Sequence, residues 1–407
     1  MENEDNVGGR AASSVAYLER DGKRALTELR MRDETDWASL RGDFPVTKHT
    51  AYLNCAAAGA VSRAVMEAAG TFYREMMEEG DKRWDEWLAR REKIRRRVAE
   101  FINAEPEEIA FTTNTSAGVN LIADALEGRG DVVSCELEFP VSTLPWMHRG
   151  ARISLVKAPE GEIHAEDIER ALTDKTSVIS LSHVQYSNGF RLAAEEIGER
   201  KGSHAFVLNA SQSVGAFEVD VKRMKIDALC TTGHKWLLAG YGCGFVFLSR
   251  ELLAETRGRN ASWMSVENPF AMRNNEYKLR TDAAARAELG VPHFAGIFAL
   301  GAAVDYLMRI GKERIERRVL ELNRHLTRRL AEAGWRVLSP LRDENTRSSQ
   351  TLVEVEKPAR VVARLAQRNV AVTEKPQGIR VAAHFFNDAE DIERLIAALE
   401  QMRSSVR

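Results

Sequence analysis

The chain has 407 residues, 44% of them hydrophobic, and a formal net charge of −2 from 58 basic and 60 acidic side chains. That length suggests about two domains with a sizeable core, and the near-neutral balance leaves no footprint for nucleic acid or an anionic membrane surface. No apolar stretch reaches the ~18 residues of a membrane span, and the opening MENEDNVGGR lacks the cationic and apolar regions of a secretion signal, so the expected location is the cytoplasm.

In chain order, residues 1–30 are polar with a weak helical pattern over 15–30, and they read as a loose or docking extension. A short helix is expected over 36–40. Tyr52 opens a brief strand followed by Asn54-Cys55-Ala56-Ala57-Ala58-Gly59, small residues that form either a simple turn or a backbone wall close to a ligand. Apolar positions between Arg63 and Asn103 recur at helical spacing around a break at Gly80, which predicts two helices. Within the second, Arg90, Arg91 and Arg95 to Arg97 alternate with glutamates and suggest a solvated face.

A strand over 107–112 leads into Thr113-Asn114-Thr115-Ser116 and an amphipathic helix. Hydroxyls at a helix start serve either as an ordinary N-cap or as an anion site, because the free N–H groups and the helix dipole both face the incoming charge. Strands and helices then alternate: strands over 131–135, 151–156, 176–182, 205–208 and 244–248, and helices over 141–148, 165–172 and 192–200. Such alternation predicts a mainly parallel sheet covered on both faces, with ligands beyond the carboxyl ends of its strands. Long helices over 294–310 and 312–332 follow. Strands over 336–338, 350–354 and 379–382, with helices over 358–367 and 388–402, then form an α+β unit. The expected organisation is an extension (1–45), a large domain (46–297) and a small one (298–407) that borrows residues 46–60.

Cys55, Cys135, Cys230 and Cys243 show no ligand or disulfide spacing, so no metal site is expected. They read as small buried apolar residues, with one reactive thiol among them left open. The segment 226–244, IDALCTTGHKWLLAGYGCG, places Lys235 between a buried strand and a glycine-rich turn. Such a lysine is either an ordinary loop residue or a desolvated amine poised to form a Schiff base.

Seven motifs decide between these: YLNCAAAG, FTTNTSAGVNLIA, ELEFPVSTLPW, HVQYSNGFR, NASQSVGAFEVDV, GHKW and GIRVAAHFFNDAEDIERL. Over about residues 45–400 the chain resembles the class V aminotransferase family of fold-type I pyridoxal-phosphate enzymes, the group that includes cysteine desulfurases and isopenicillin N epimerase-like proteins. The EFP and VQYSNGFR segments resemble the epimerase-like branch more than the desulfurases. The resemblance implies a seven-stranded large domain, a small C-terminal domain and a homodimer with active sites near the subunit interface. It implies that Lys235 carries pyridoxal 5′-phosphate as a Schiff base. Thr115, Ser116, Thr232 and His234 would hold the phosphate, Phe139 would stack on the ring, and Gln212 would bond its O3′ side. Arg380 would clamp a substrate carboxylate, with Asn54 and Gln185 at the pocket wall.

Three positions depart from the family pattern. Asn209 stands where relatives carry the aspartate that keeps the ring nitrogen protonated, which weakens the ring as an electron sink. The segment 372–378 lacks the nucleophilic cysteine of the desulfurases. Val291 replaces a threonine that reaches the partner's phosphate. The expected reaction is β- or γ-elimination on a small amino acid, of carbon–sulfur lyase type. Transamination and epimerisation are the alternatives, and a catalytically impaired binding or scaffold subunit is the competing reading from another class.

Overall fold

The computed structural model describes residues 35–403. Most of the N-terminal extension, with its expected helical pattern over 15–30, lies outside the described residues. A two-residue strand β1 (Ala51–Tyr52) precedes the central sheet. That sheet contains β2 (Ile109–Thr112), β3 (Asp131–Cys135), β4 (Ile153–Val156), β5 (Thr176–Ser182), β6 (Ala205–Asn209), β7 (Ala228–Thr232) and β8 (Gly244–Leu248), in the order β2-β8-β7-β6-β5-β3-β4. The strands from β4 to β7 pair in parallel, and β8 runs antiparallel to both β7 and β2.

Alternate residues of these strands enter two different cores, as the pleat requires. Phe111, Val133, Ile179, Leu208, Leu229 and Phe247 pack on one face, and Ala110, Val132, Val178, Val207, Cys230 and Val246 on the other. Both faces are covered, so β7 and β8 are buried along their whole length and read as apolar runs rather than alternating ones. Helix Thr115–Ala125 lies directly on the sheet because residue 118 has no side chain: a Cβ there would come within 2.7 Å of Val246 and 2.9 Å of Cys230.

The second unit holds β9 (Gln350–Glu354), β10 (Val370–Ala371), β11 (Thr373–Lys375) and β12 (Gly378–Ala382). The antiparallel order is β11-β12-β9, and β10 pairs in parallel with β1. Its core joins Ala51 and Leu53 to Leu322, Val353, Val381, Ile392 and Leu395. Two residues later Cys55 and Ala56 belong to the larger core. Helix Phe294–Ile310, which spans the expected boundary at 297/298, buries Phe294, Phe298 and Val304 in that larger core, and the smaller core takes up from Leu322.

Several expectations are corrected. Residues 336–338 make only one bridge, Val337 to Val353. The helix expected over 141–148 is split into a short 3₁₀ turn, Pro140–Ser142, and a helix, Leu144–His148, because Pro140 and Pro145 each occupy a helix start. The 372–378 loop is part of a hairpin, closed by Pro376 and Gln377 between β11 and β12. The arginine run of helix Trp84–Ile102 is not wholly solvated, since Arg91 and Arg95 are buried. Arg95 donates to Ile109 O (2.8 Å), Glu288 (2.6 and 2.8 Å) and Glu92, while Glu288 also accepts from Phe111 N (2.8 Å). This network pins the start of the sheet. Among the described residues no single helix is long and apolar enough to cross a membrane.

Candidate active site

The carboxyl ends of β5, β6 and β7 stop at Ser182, Asn209 and Thr232, and β2 leads into helix Thr115–Ala125. These ends enclose a cavity of about 350 Å³, completed by Lys375 of β11 and Arg380 of β12. A larger hollow of about 1250 Å³ is bounded by the single segment 261–278 and gathers no converging catalytic side chains.

Lys235 stands just past β7, and its backbone is fixed from both sides. Gly59 N donates to His234 O at 2.7 Å, an approach open only to glycine because a Cβ at 59 would lie 2.1 Å from Lys235 O. The chain then leaves through Leu238 at φ 57°, Gly240 at φ 77° and Gly242 at φ 85°, left-handed conformations that glycine adopts freely and leucine adopts at a cost of about 1–2 kcal/mol. Burial, followed by repulsion from Arg380 and Lys375, lowers the Lys235 amine to about 8, so a neutral nucleophilic fraction exists near neutral pH. Burial and the neighbouring Lys235 also lower His234 to about 4; its ring is neutral, shares a 2.7 Å hydrogen bond with Thr232 Oγ1 and stacks on Tyr241.

The floor is a chain of neutral polar groups resting on one carboxyl. Thr115 Oγ1 and Ser211 Oγ share a 2.6 Å bond, and Ser211 Oγ donates to Asn209 Oδ1 at 2.7 Å. Asn209 Nδ2 donates to Ser142 Oγ at 3.2 Å, and the Ser142 hydroxyl bonds Glu138. Glu138 also accepts from Ser182 N (2.6 Å) and Gln185 Nε2 (2.7 Å), while its burial pushes its carboxyl above the usual range. The Gln212 amide donates to Ala56 O at 2.9 Å and accepts from Trp236 Nε1 at 2.8 Å, leaving a second amide hydrogen for a ligand.

The opposite end is cationic. Arg380 is buried, donates through Nη1 to Tyr186 O at 2.9 Å, and has no partner for Nε; burial lowers its pKa to about 10. Lys375 Nζ lies 4.5 Å from the centre of the Tyr186 ring. That ring meets Phe139 edge-on at 5.1 Å, and Phe139 remains 48% exposed, offering an apolar face to the cavity.

Of the expected site residues, Lys235, Thr115, Ser116, Phe139, Asn209, Gln212, Thr232, His234 and Arg380 surround this one cavity. Asn54 and Gln185 are not among its lining side chains. Asn54 accepts from Thr373 and bridges to Ala382, and Gln185 is fully buried against Glu138. Sequence reasoning passed over Tyr186, Ser211 and Lys375. Ser211 follows the floor residue Asn209 by a period of two and lay within reach, whereas nothing local marked the other two. Val291 is exposed away from this cavity, beside a second one of about 440 Å³. All four cysteines are unpaired and buried, and burial raises every thiol, so none is a ready thiolate.

A buried, partly neutral amine, an exposed aromatic face and hydroxyls at a helix start suit an aldehyde-bearing aromatic phosphate. This defines the class: an α/β enzyme built to hold a Schiff-base cofactor. The Aminotransferase class-V family profile matches residues 51–403, and the chain belongs to that family. It is a pyridoxal 5′-phosphate-dependent enzyme with the fold-type I architecture. It is 28% identical over 397 residues to a probable cysteine desulfurase from Pyrococcus abyssi, an alignment covering 90% of this chain and 98% of that one. It is 27% identical over 402 residues to isopenicillin N epimerase from Amycolatopsis lactamdurans, covering 90% and 99%. The solved apo cysteine desulfurase from Thermococcus onnurineus NA1 superimposes with a TM-score of 0.83 at 26% identity, covering 90% and 97%. Lys235, His234 and Arg380 gathered in one cavity weigh against the scaffold-subunit reading, and Asn209 and Val291 are the departures that spoke for it.

Proposed function

We propose that the enzyme cleaves the carbon–sulfur bond of a small sulfur-containing amino acid by elimination. The observation that carries this reading is the cavity floor: Asn209, locked between Ser211 and Ser142, presents an amide rather than a carboxylate. A ring nitrogen without a charge partner favours reactions in which carbanion charge is relieved by expelling a leaving group. Persulfide transfer to an enzyme thiol is not supported, because no cysteine lines the cavity and the β11–β12 hairpin has none.

The bound cofactor supplies an aldehyde that condenses with amines and a conjugated ring that accepts electron density. The chain supplies the rest. The hydroxyls of Thr115, Ser116 and Thr232 and the first N–H groups of helix Thr115–Ala125 would hold the phosphate. Phe139 would give the ring an apolar face, and the spare Gln212 hydrogen would be available to its O3′ side. Arg380 receives the substrate α-carboxylate through its planar fork. The Lys235 amine takes the α-proton, the C–S electron pair leaves with sulfur, and a proton returns to the departing thiolate. With one water the net products are a keto acid, ammonia and a thiol. We place the enzyme in the cytoplasm as a homodimer, a reading supported by unpaired cysteines and by exposed Tyr241, Phe270, Tyr277 and Val291.

The test is product analysis with S-substituted cysteines and no added keto acid. Keto acid, ammonia and thiol are expected in equal amounts. Turnover only when an amino acceptor is added, or loss of α-carbon chirality without sulfur release, overturns the proposal.

A further inference from the structure

The cationic end of the cavity carries more positive charge than one α-carboxylate requires. Lys235, Lys375 and Arg380 all line it, and no Asp or Glu does. The charged neighbours that shift Lys235 and Lys375 are cations only, and among the described residues Arg380 feels only Tyr186 as a favourable partner. Arg380 is buried and Lys235 and Lys375 are half-buried; cations so placed ordinarily face a carboxylate, and a group of three without one points to anionic ligands. Two of the three have assignments: Lys235 belongs to the cofactor aldehyde and Arg380 to the α-carboxylate. Lys375 has none.

Its direction is set by the hairpin. Thr373 pairs directly with Arg380, and Thr373 and Lys375, two residues apart, point to the same face of the sheet. Lys375 is therefore the diagonal neighbour of Arg380 and enters the cavity beside it. Tyr186 orders both, its carbonyl taking the Arg380 guanidinium and its ring lying under the Lys375 ammonium. The phosphate does not claim Lys375, since the hydroxyl donors suited to phosphate belong to the other unit, at the ends of β2 and β7. Burial and the proximity of Arg380 lower the Lys375 pKa to about 8, a cost that a bound anion removes.

We propose that Lys375 receives a second anionic group of the substrate, so that the enzyme selects α-amino acids whose side chain ends in a negative charge. Resting on the elimination reading, this makes the preferred substrate a cysteine derivative with an anionic sulfur substituent.

The test uses holoenzyme and two matched pairs: S-carboxymethyl-L-cysteine against S-carbamoylmethyl-L-cysteine, read as the rapid change in cofactor absorbance that precedes turnover, and L-glutamate against L-glutamine, read as the equilibrium change on titration. In each pair the anionic member is expected to bind about tenfold more tightly, the worth of one charge-assisted contact. Lys375→Met should bring both ratios to near one while leaving the neutral members within about twofold, and Lys375→Arg should keep the preference. Ratios near one in the wild type, or equal weakening of both members by Lys375→Met, overturn the proposal. The glutamate pair has no carbon–sulfur bond, so a charge preference there without sulfur release from the cysteine pair retains this assignment and refutes elimination.

Discussion

Arg95 and Arg380 are both buried arginines, yet their surroundings are opposite. Around Arg95 the fold supplies two carboxylates and a backbone carbonyl, and these partners raise its pKa despite burial. Around Arg380 it supplies one carbonyl and two further cations, and leaves Nε without an acceptor. The first charge is complete in the folded chain alone. The second is costly until something binds, which is how a scaffold ion pair differs from a recognition site.

Removing a member of each group should therefore have opposite consequences. Lys235→Ala should lower turnover by about 10⁴-fold or more, the usual scale for a residue on which the chemistry depends. Borohydride should no longer fix the cofactor to the protein, and the melting temperature of the cofactor-free variant should equal or exceed that of the wild type. A clear loss of stability would erase the distinction. Glu288→Ala should do the reverse, costing about 3–5 kcal/mol in denaturant unfolding by leaving Arg95 a buried, under-compensated cation. Cofactor absorbance should persist wherever the variant is folded. A cost below about 1 kcal/mol would show that the buried network is not the anchor it resembles.

The smallest effect is the pH dependence of the cofactor-free protein. Lys235 and Lys375 fall to about 8 when folded, from 10.5. Between these values the unfolded chain binds more protons, so their contribution to stability rises with pH across that window. Chemical denaturation from pH 8 to 10 should show a steeper rise in the wild type than in Lys235→Met/Lys375→Met. Parallel slopes would mean that the two amines are not desolvated.

The floor of the site was far more legible in the sequence than its roof. Lys235, Thr115, Asn209 and Thr232 each follow a strong apolar strand in a regular βα alternation, and the rule that ligands bind beyond strand ends gathers them without coordinates. Arg380 was placed by its motif. Lys375 was not, because β11 is three residues long, polar and next to a proline, and such a strand exists only through its pairing with β12. Glu138 stood in the sequence only as part of the ELEFPVSTLPW motif, since its importance lies in hydrogen bonds to Ser182 and Gln185, more than 40 positions away. Arg95 failed differently: a basic run with interspersed glutamates reads as a wet surface until the partner from Glu288 is known.

The short register of the β11–β12 hairpin also bears on how such an enzyme can diverge. Lys375 reaches the cavity from this hairpin, whereas the hydroxyls of Thr115 and Thr232 are attached to a different sheet by different hydrogen bonds. Descendants of this chain could thus exchange one substrate for another through a single alternate position on a three-residue strand, with the cofactor's seat inherited intact.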